Sequence, residues 1–426
     1  QKKEDFFTDS GRLYFDAATW FLRIYENGRY CTFPHVLELV SRDSKDVIKI
    51  LNSYPQIRAK ATPFANTLKG NASEQLTGMV TSAQIPIVKL ADRTLYWILS
   101  GDDGSLDIND PKHPKILCLG NDPARQAINS SALALYTSRI FKNVNRPGKR
   151  PCAILLDELP TLYLKGLDLL MATARSNGVK TVLGMQDLSQ LIRDYGDKEA
   201  EVIFSNVASI ISGQVTGKTA ERMSKMFGKT DMVKESETIG RSNDSINISR
   251  QKEELMPVSR IGTLSQGEFI GKMADTFEHP IRQKLFCARI FRDGEALEEE
   301  MKQWKKLPVM MDFGEDEAEQ HVRSHQREYL LEYCKNQIHQ GDVVYPADLL
   351  EEKAEEMLSQ MTSKECDALL DMIIASERQS AYEKVLDDNM TRIQNEVDSI
   401  IAAELFRLNN ITQSDDPRIT DPFHGL

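Results

Sequence analysis

No apolar run in this 426-residue chain approaches the ~18 residues that a helix needs to cross a bilayer. The six cysteines are scattered, and no two form a Cys-x-x-Cys pair, so neither a disulfide framework nor a zinc ribbon is expected. Reduced, buried thiols are expected instead. The seven histidines do not cluster with carboxylates at metal-ligand spacing. His321 and His325 stand four apart on one predicted helix, and no third ligand accompanies them. No Ser-His-Asp or Cys-His arrangement and no internal repeat is present. No signal-peptide pattern follows Gln1, and the chain is expected to start inside a longer one. The absence with most consequence is a phosphate loop, Gly-x-x-x-x-Gly-Lys-Ser/Thr, which occurs nowhere in the chain.

What is there begins with charge. The formal net charge is −11, yet residues 291–426 carry 31 Asp/Glu against 14 Lys/Arg, a net of −17. Residues 1–290 therefore hold a net of +6. The acidic end repels nucleic acid and suits basic partners or simple solubility, whereas the mildly basic body is compatible with a phosphate backbone. Hydrophobic residues at 41% and charged residues at 27% match a soluble globular chain of two or three domains.

Three spans follow from the pattern. Residues 1–110 read as mostly helical, with Tyr14–Tyr25 too apolar for an exposed helix and Pro34 near the first turn of a second one. Gly101–Ser105 is a turn and a domain edge. Over 111–295, strands alternate with helices: Ile116–Leu119, Cys152–Leu156, Val179–Gly184 and Val207–Ser212 read as strands. That alternation predicts an α/β fold with a mostly parallel sheet covered on both faces. Residues 229–252 are polar and read as a mobile loop. Residues 296–426 read as an acidic helical region, with 411–426 disordered.

The Cys152–Leu156 strand ends in two adjacent carboxylates, Asp157 and Glu158. Nucleotide hydrolases place such a pair where one carboxylate holds Mg²⁺ through water and the other deprotonates the attacking water. A solvated turn is the plain alternative. Gln186 ends the next strand and can sense a γ-phosphate, or it can simply precede a helix capped by Asp187. Arg175 can favour the dipole of its own helix or act as an arginine finger in a neighbouring subunit, and residue type leaves both open. Gly213-Gln-Val-Thr-Gly217-Lys218-Thr219 has three residues between its glycines where a phosphate loop has four, so it reads as a turn entering a helix.

Ile-Leu-Leu-Asp157-Glu158-Leu-Pro160-Thr161-Leu, Ala172-Thr-Ala-Arg175-Ser-Asn-Gly178-Val and Leu183-Gly-Met-Gln186-Asp187-Leu-Ser-Gln190-Leu together resemble the type IV coupling proteins. These are the TraG/TraD-type ATPases of conjugation and type IV secretion. Tyr195-Gly196 continues that resemblance; Ile210-Ile-Ser-Gly213, Thr219-Ala220 and Met226-Phe-Gly228 are similar to the next strand and helix of that family, and Phe6-Phe7, Ala17-Ala18 and Thr32-Phe33 resemble its inserted helical domain. The resemblance covers about residues 5–290.

It implies a RecA-like P-loop NTPase core over 111–295, present in part, with an inserted all-α domain over 1–110 and a C-terminal helical extension over 296–426. It implies ATP and Mg²⁺ as cofactors, with Asp157 on the Mg²⁺ side, Glu158 as catalytic base, Gln186 as sensor and Arg175 as arginine finger. The implied partners are single-stranded DNA, a relaxase with its relaxosome proteins, type IV secretion channel components and further copies of the chain in a hexamer. The implied place is the cytoplasmic face of the bacterial inner membrane, with the membrane anchor and phosphate loop expected ahead of residue 1. Lys229, Lys234, Arg241 and Arg250 are candidate DNA contacts. A chromosome-segregation type of DNA translocase and a non-hydrolysing adaptor that recruits partners through its acidic region are the alternatives.

Overall fold

A computed structural model of the chain describes residues 6–70, 72–88, 90–101, 104–238, 245–275, 279–305, 313–340 and 345–413. The contacts divide it into two compact units, one of residues 1–102 with 307–426 and one of residues 103–306.

The first unit opens with six helices: α1 Phe6–Ile24, α2 Phe33–Ser41, α3 Ser44–Ser53, α4 Pro55–Lys69, α5 Ser73–Val88 and α6 Arg93–Ser100. Their starts are written in the sequence. Pro34 sits in the first turn of α2, where its missing N–H costs nothing. Asp43 caps α3 by accepting from the Lys45 and Asp46 N–H groups, and Asp92 caps α6 in the same way through Thr94 and Leu95. The apolar stretch of α1 is the spine of the core, with Tyr14, Ala17, Ala18, Phe21 and Leu22 all buried. Gly11 lets α1 lie against α5, because a Cβ there would stand 2.7 Å from the Ser82 backbone.

The second unit holds α7 Gln126–Val144, β1 Cys152–Leu156, α8 Leu167–Thr173, β2 Val179–Leu183, α9 Leu188–Ser205, β3 Ile210–Ser212 and α10 Gly217–Phe227. β4 Lys229–Thr238, β5 Ser245–Glu254, α11 Val258–Ile261, β6 Glu268–Lys272, β7 Leu285–Arg289 and α12 Gly294–Lys302 complete it. β1 and β2 pair in parallel, Cys152 opposite Val179 and Leu156 opposite Leu183. One face of this pair packs on α7, α8 and α9 through Ile154, Val179, Ile140 and Leu191, while Leu155 and Val182 on the other face are exposed.

The sheet differs from the single, mostly parallel one expected. The described strands form three small sheets: β1–β2 parallel, β3–β6–β7 antiparallel and β4–β5 antiparallel. Ile116–Leu119, read as a strand, joins no ladder among the described residues, and Ile116 stands 95% exposed. Short apolar runs encode a strand only where a neighbour supplies hydrogen-bond partners. In the polar stretch read as a loop, the described residues are strands: 229–238 pair antiparallel with 245–254 at ten positions, from Lys229 opposite Glu254 to Thr238 opposite Ser245, a β4–β5 hairpin pair. Thr230, Val233, Thr238, Ile246 and Ile248 supply its β-branched residues, which the surrounding charge obscured. Of the cysteines, Cys118 and Cys287 are exposed instead of buried, and none is in a disulfide.

Four more helices follow: α13 Glu315–Ser324, α14 Gln326–His339, α15 Ala347–Gln360 and α16 Ser363–Gln413. α16 runs back along the first unit, and Val397 and Ile400 enter the same core as Tyr14, Phe21 and Phe64. Arg42 donates from Nε to Asp398 at 2.7 Å, and His35 Nε2 lies 2.8 Å from Glu396. The acidic region from residue 307 onward is thus part of the helical unit, while its start, with α12, belongs to the second. Residues 414–426, most of the segment read as disordered, lie outside the described residues.

Candidate active site

The site begins with a sharp reversal after β1. Glu158 has φ +50 and ψ 48, left-handed values that are uncommon for a residue with a Cβ. Surrounding bonds hold it there. Its carbonyl accepts from the Thr161 N–H at 2.9 Å and the Thr161 hydroxyl at 2.8 Å, and the Leu159 N–H donates to the Gly184 carbonyl at 2.9 Å. Leu159 and Pro160 are buried directly behind it. A strained residue over-determined in this way is a feature of functional turns.

The turn leaves Asp157 exposed and Glu158 half-buried. Asp157 Oδ1 accepts the Glu158 N–H at 3.1 Å. Gly184, at the end of β2, passes so close that a Cβ there would stand 3.0 Å from the Asp157 carboxylate. From the same strand end, Gln186 Nε2 donates to Glu158 Oε1 at 2.8 Å. Asp157, Glu158 and Gln186, chosen from sequence as one site, therefore meet at the C-terminal edge of β1 and β2, where open α/β sheets place ligands.

Asp187 turns away from that edge and caps α9, accepting the Ser189 N–H at 2.6 Å and the Ser189 hydroxyl. It also accepts the Thr219 hydroxyl at 3.1 Å, and these bonds hold its carboxyl below the usual carboxylate range. The Gly213–Thr219 stretch is thus a turn into α10.

Arg175 lies elsewhere. It is exposed in the 3₁₀ turn Ala174–Asn177, before β2 begins, and Gly178 at φ +72 closes that turn. The five residues of β2 separate that turn from the carboxylate edge, about 16 Å of strand rise. Of the candidate DNA contacts, Lys229 and Arg250 occupy register positions on one face of the hairpin and Lys234 on the other, while Arg241 lies outside the described residues.

Residues 151–266 match the family model described as the TraM recognition site of TraD and TraG. That stretch is similar to the family's region, and the rest of the chain lies outside the match. The fold of the chain is similar to that of the bacterial conjugative coupling protein TrwBdeltaN70 in an unbound form, at 16% identity and a TM-score of 0.54 over 68% of this chain and 64% of that one. TrwB in complex with the GTP analogue GDPNP aligns at 17% identity and a TM-score of 0.51, over 66% of this chain and 62% of that one. TrwB with ADP and Mg²⁺ aligns at 18% identity and a TM-score of 0.50, over 68% and 64%. The chain thus spans under two thirds of the length of these structures. Among curated proteins, none matches it significantly.

Two further residues of the matched region, both within the stretch that carries the resemblance, have a structural part that the sequence did not assign them. Gly184 was read as part of a strand, but its missing Cβ is what admits the Asp157 carboxylate. Tyr195 is buried in α9, its hydroxyl donating to the Leu162 carbonyl at 2.7 Å and accepting the Leu164 N–H at 3.0 Å. It pins the segment that leaves the carboxylates, and burial pushes its pKa up to about 12. Tyr195→Phe strands both backbone groups and is expected to cost about 1–3 kcal/mol. Denaturant unfolding checks this, and an unchanged midpoint would show that water replaces the hydroxyl.

As a cofactor site, the cluster offers one exposed carboxylate beside a half-buried one. No group of three or more His, Cys, Asp or Glu side chains suited to holding a metal occurs among the described residues. A lone strand-end carboxylate does fit Mg²⁺, which keeps most of its waters and takes its remaining ligands from phosphate.

Proposed function

We propose that this chain is the motor portion of an ATPase that recruits a relaxase with its single-stranded DNA and drives the DNA into a type IV secretion channel. The observation that carries the reading is Glu158: a strained, half-buried carboxylate at a strand end, with the Gln186 amide 2.8 Å from it. The similar TrwB fold has been solved with ADP and Mg²⁺ and with an ATP analogue.

Bound Mg²⁺·ATP would supply the phosphoryl group and neutralise its charge. Asp157 holds the water shell of the ion. Glu158 takes the proton of the attacking water, and its bond to Gln186 fixes which oxygen faces the water. Gln186 exchanges that bond for the γ-phosphate and so distinguishes ATP from ADP. Because Arg175 stands at the far end of the strand, its arginine-finger role is to reach a neighbouring subunit's nucleotide, which requires a ring of copies, six in this reading. A phosphate loop ahead of residue 1 belongs to the same reading. A TraM-like accessory protein and a basic relaxase are the proposed protein partners, the latter through the acidic helices. An inner-membrane anchor belongs to the same reading; no described helix is long and apolar enough to cross a membrane.

The test is Mg²⁺-dependent ATP hydrolysis, with and without single-stranded DNA, by the protein expressed from its complete reading frame. Stimulation by DNA is expected, and no hydrolysis above background would overturn the proposal. Neutralising Lys229, Lys234, Arg241 and Arg250 together should weaken DNA binding and flatten its salt dependence by about four counterions at most. Because the described positions lie on both hairpin faces, the effect is expected to be distributed over the set. Unchanged affinity would remove the hairpin from the DNA path.

A further inference from the structure

Thr219 closes the Gly213–Thr219 stretch that fails as a phosphate loop, and the function above gives it no task. Its hydroxyl stands where two helices of the second unit meet. It donates to Asp187 Oδ2 at 3.1 Å and accepts the Leu188 N–H at 3.3 Å, so one side chain ties the start of α10 to the start of α9. Asp187 is held from its other side by Ser189. It is extended, at φ −150 and ψ 143. Gln186 reaches Glu158, and Asp187 reaches Thr219.

The far end of α10 is equally well tied. Arg222 makes a two-pronged ion pair with Glu201 of α9 at 2.6 and 2.8 Å, and its guanidinium lies 4.0 Å from the Phe204 ring centre. The buried Ser224 hydroxyl is 2.9 Å from the Glu254 carboxylate and 2.6 Å from the Met256 carbonyl. The Gly228 carbonyl accepts the Leu255 N–H at 3.0 Å. α10 therefore links the residue beside Gln186 to both strands at the base of the hairpin.

We propose that Thr219 is a positioning residue: its hydroxyl locks Asp187, holds Gln186 against Glu158, and ties that contact through α10 to the base of the β4–β5 hairpin. The inference rests on reading Gln186 as a sensor, but it is tested without nucleotide. An absence of hydrolysis therefore leaves this test intact, and a failure here leaves the hydrolysis test intact.

The experiment uses the 426-residue chain with selectively ¹⁵N-labelled glutamine, the Gln186 side-chain signal being assigned with Gln186→Ala. Glu158→Ala should shift the Gln186 amide resonances when Thr219 is present, should leave them unmoved in a Thr219→Val background, and should shift them again with Thr219→Ser. In parallel, hydrogen exchange at residues 229–231 and 252–255 should quicken up to about tenfold in Thr219→Val, the loss of one hydrogen bond, and return with Thr219→Ser. If Thr219→Val does not fold, Thr219→Ala carries the same comparison. A Glu158-dependent shift that survives loss of the hydroxyl overturns the proposal. So does hairpin exchange that ignores the hydroxyl, or failure of serine to restore either readout.

Discussion

Val397→Asp is expected to destabilise the helical unit by about 4 kcal/mol or more, the range in which a buried, unpaired charge places a substitution. Val397 is fully buried on α16 in the core that also holds Tyr14, Phe21, Leu39 and Phe64. A carboxylate there has no cation among the residues of that core, so it must either stay charged and unsolvated or take up a proton. Both cost stability, and the melting temperature should fall by about 10 °C for a unit of this size. Val397→Ala removes the same contacts without the charge and should cost about 1–3 kcal/mol. If both variants melt like the parent chain, α16 does not pack where it is described.

The polar bonds along α16 make the same packing testable through specificity. Glu38 is buried and accepts from Tyr96 at 2.6 Å, from Arg42 at 2.7 Å and from Gln394 of α16 at 3.3 Å. His35, also buried, has Glu396 on one ring nitrogen and Thr32 on the other. Burial holds the His35 pKa below the ordinary imidazole value despite that carboxylate. Bonds that fix one register of a long helix are the role that buried polar groups serve best.

These elements show what the sequence made legible. The apolar spine of α1, Pro34 in the first turn of α2 and the carboxylate-bearing β1 all carry their signals within a few residues. Asp157, Glu158 and Gln186 could be placed together because strand ends in α/β units converge. The α16 seam was hidden. Its buried residues Leu386, Asn389, Ile393, Val397 and Ile400 recur every three or four positions, but charged residues at the intervening positions dominate the composition. The hairpin was hidden for the opposite reason, since its strands are polar and only their pairing makes them strands. The contact between Thr219 and Asp187 was hidden although both residues stand in recognisable stretches, because 32 positions separate them and spacing alone does not pair them.

The second large effect is on chemistry. Glu158→Gln is expected to reduce ATP hydrolysis by about 10²–10⁴-fold, the range associated with loss of a general base. The substitution is close to isosteric, and the new amide oxygen can still accept from Gln186 Nε2, which now sits 2.8 Å from Glu158 Oε1. The left-handed turn is held by backbone bonds from Thr161 and Leu159, none of which uses the carboxylate. Fold and nucleotide affinity should therefore survive while proton transfer is lost, so that kcat falls and the nucleotide Kd changes little. Asp157→Asn should behave differently, weakening the Mg²⁺ dependence of binding as well as turnover, because in the proposed mechanism its exposed carboxylate would address the ion and not the water. Single-turnover hydrolysis alongside equilibrium nucleotide binding separates the two. Retained turnover in Glu158→Gln would dismiss Glu158 as the base. Equal losses of binding and turnover in both variants would mean that the pair acts only as an acidic edge, with no division of labour between its members.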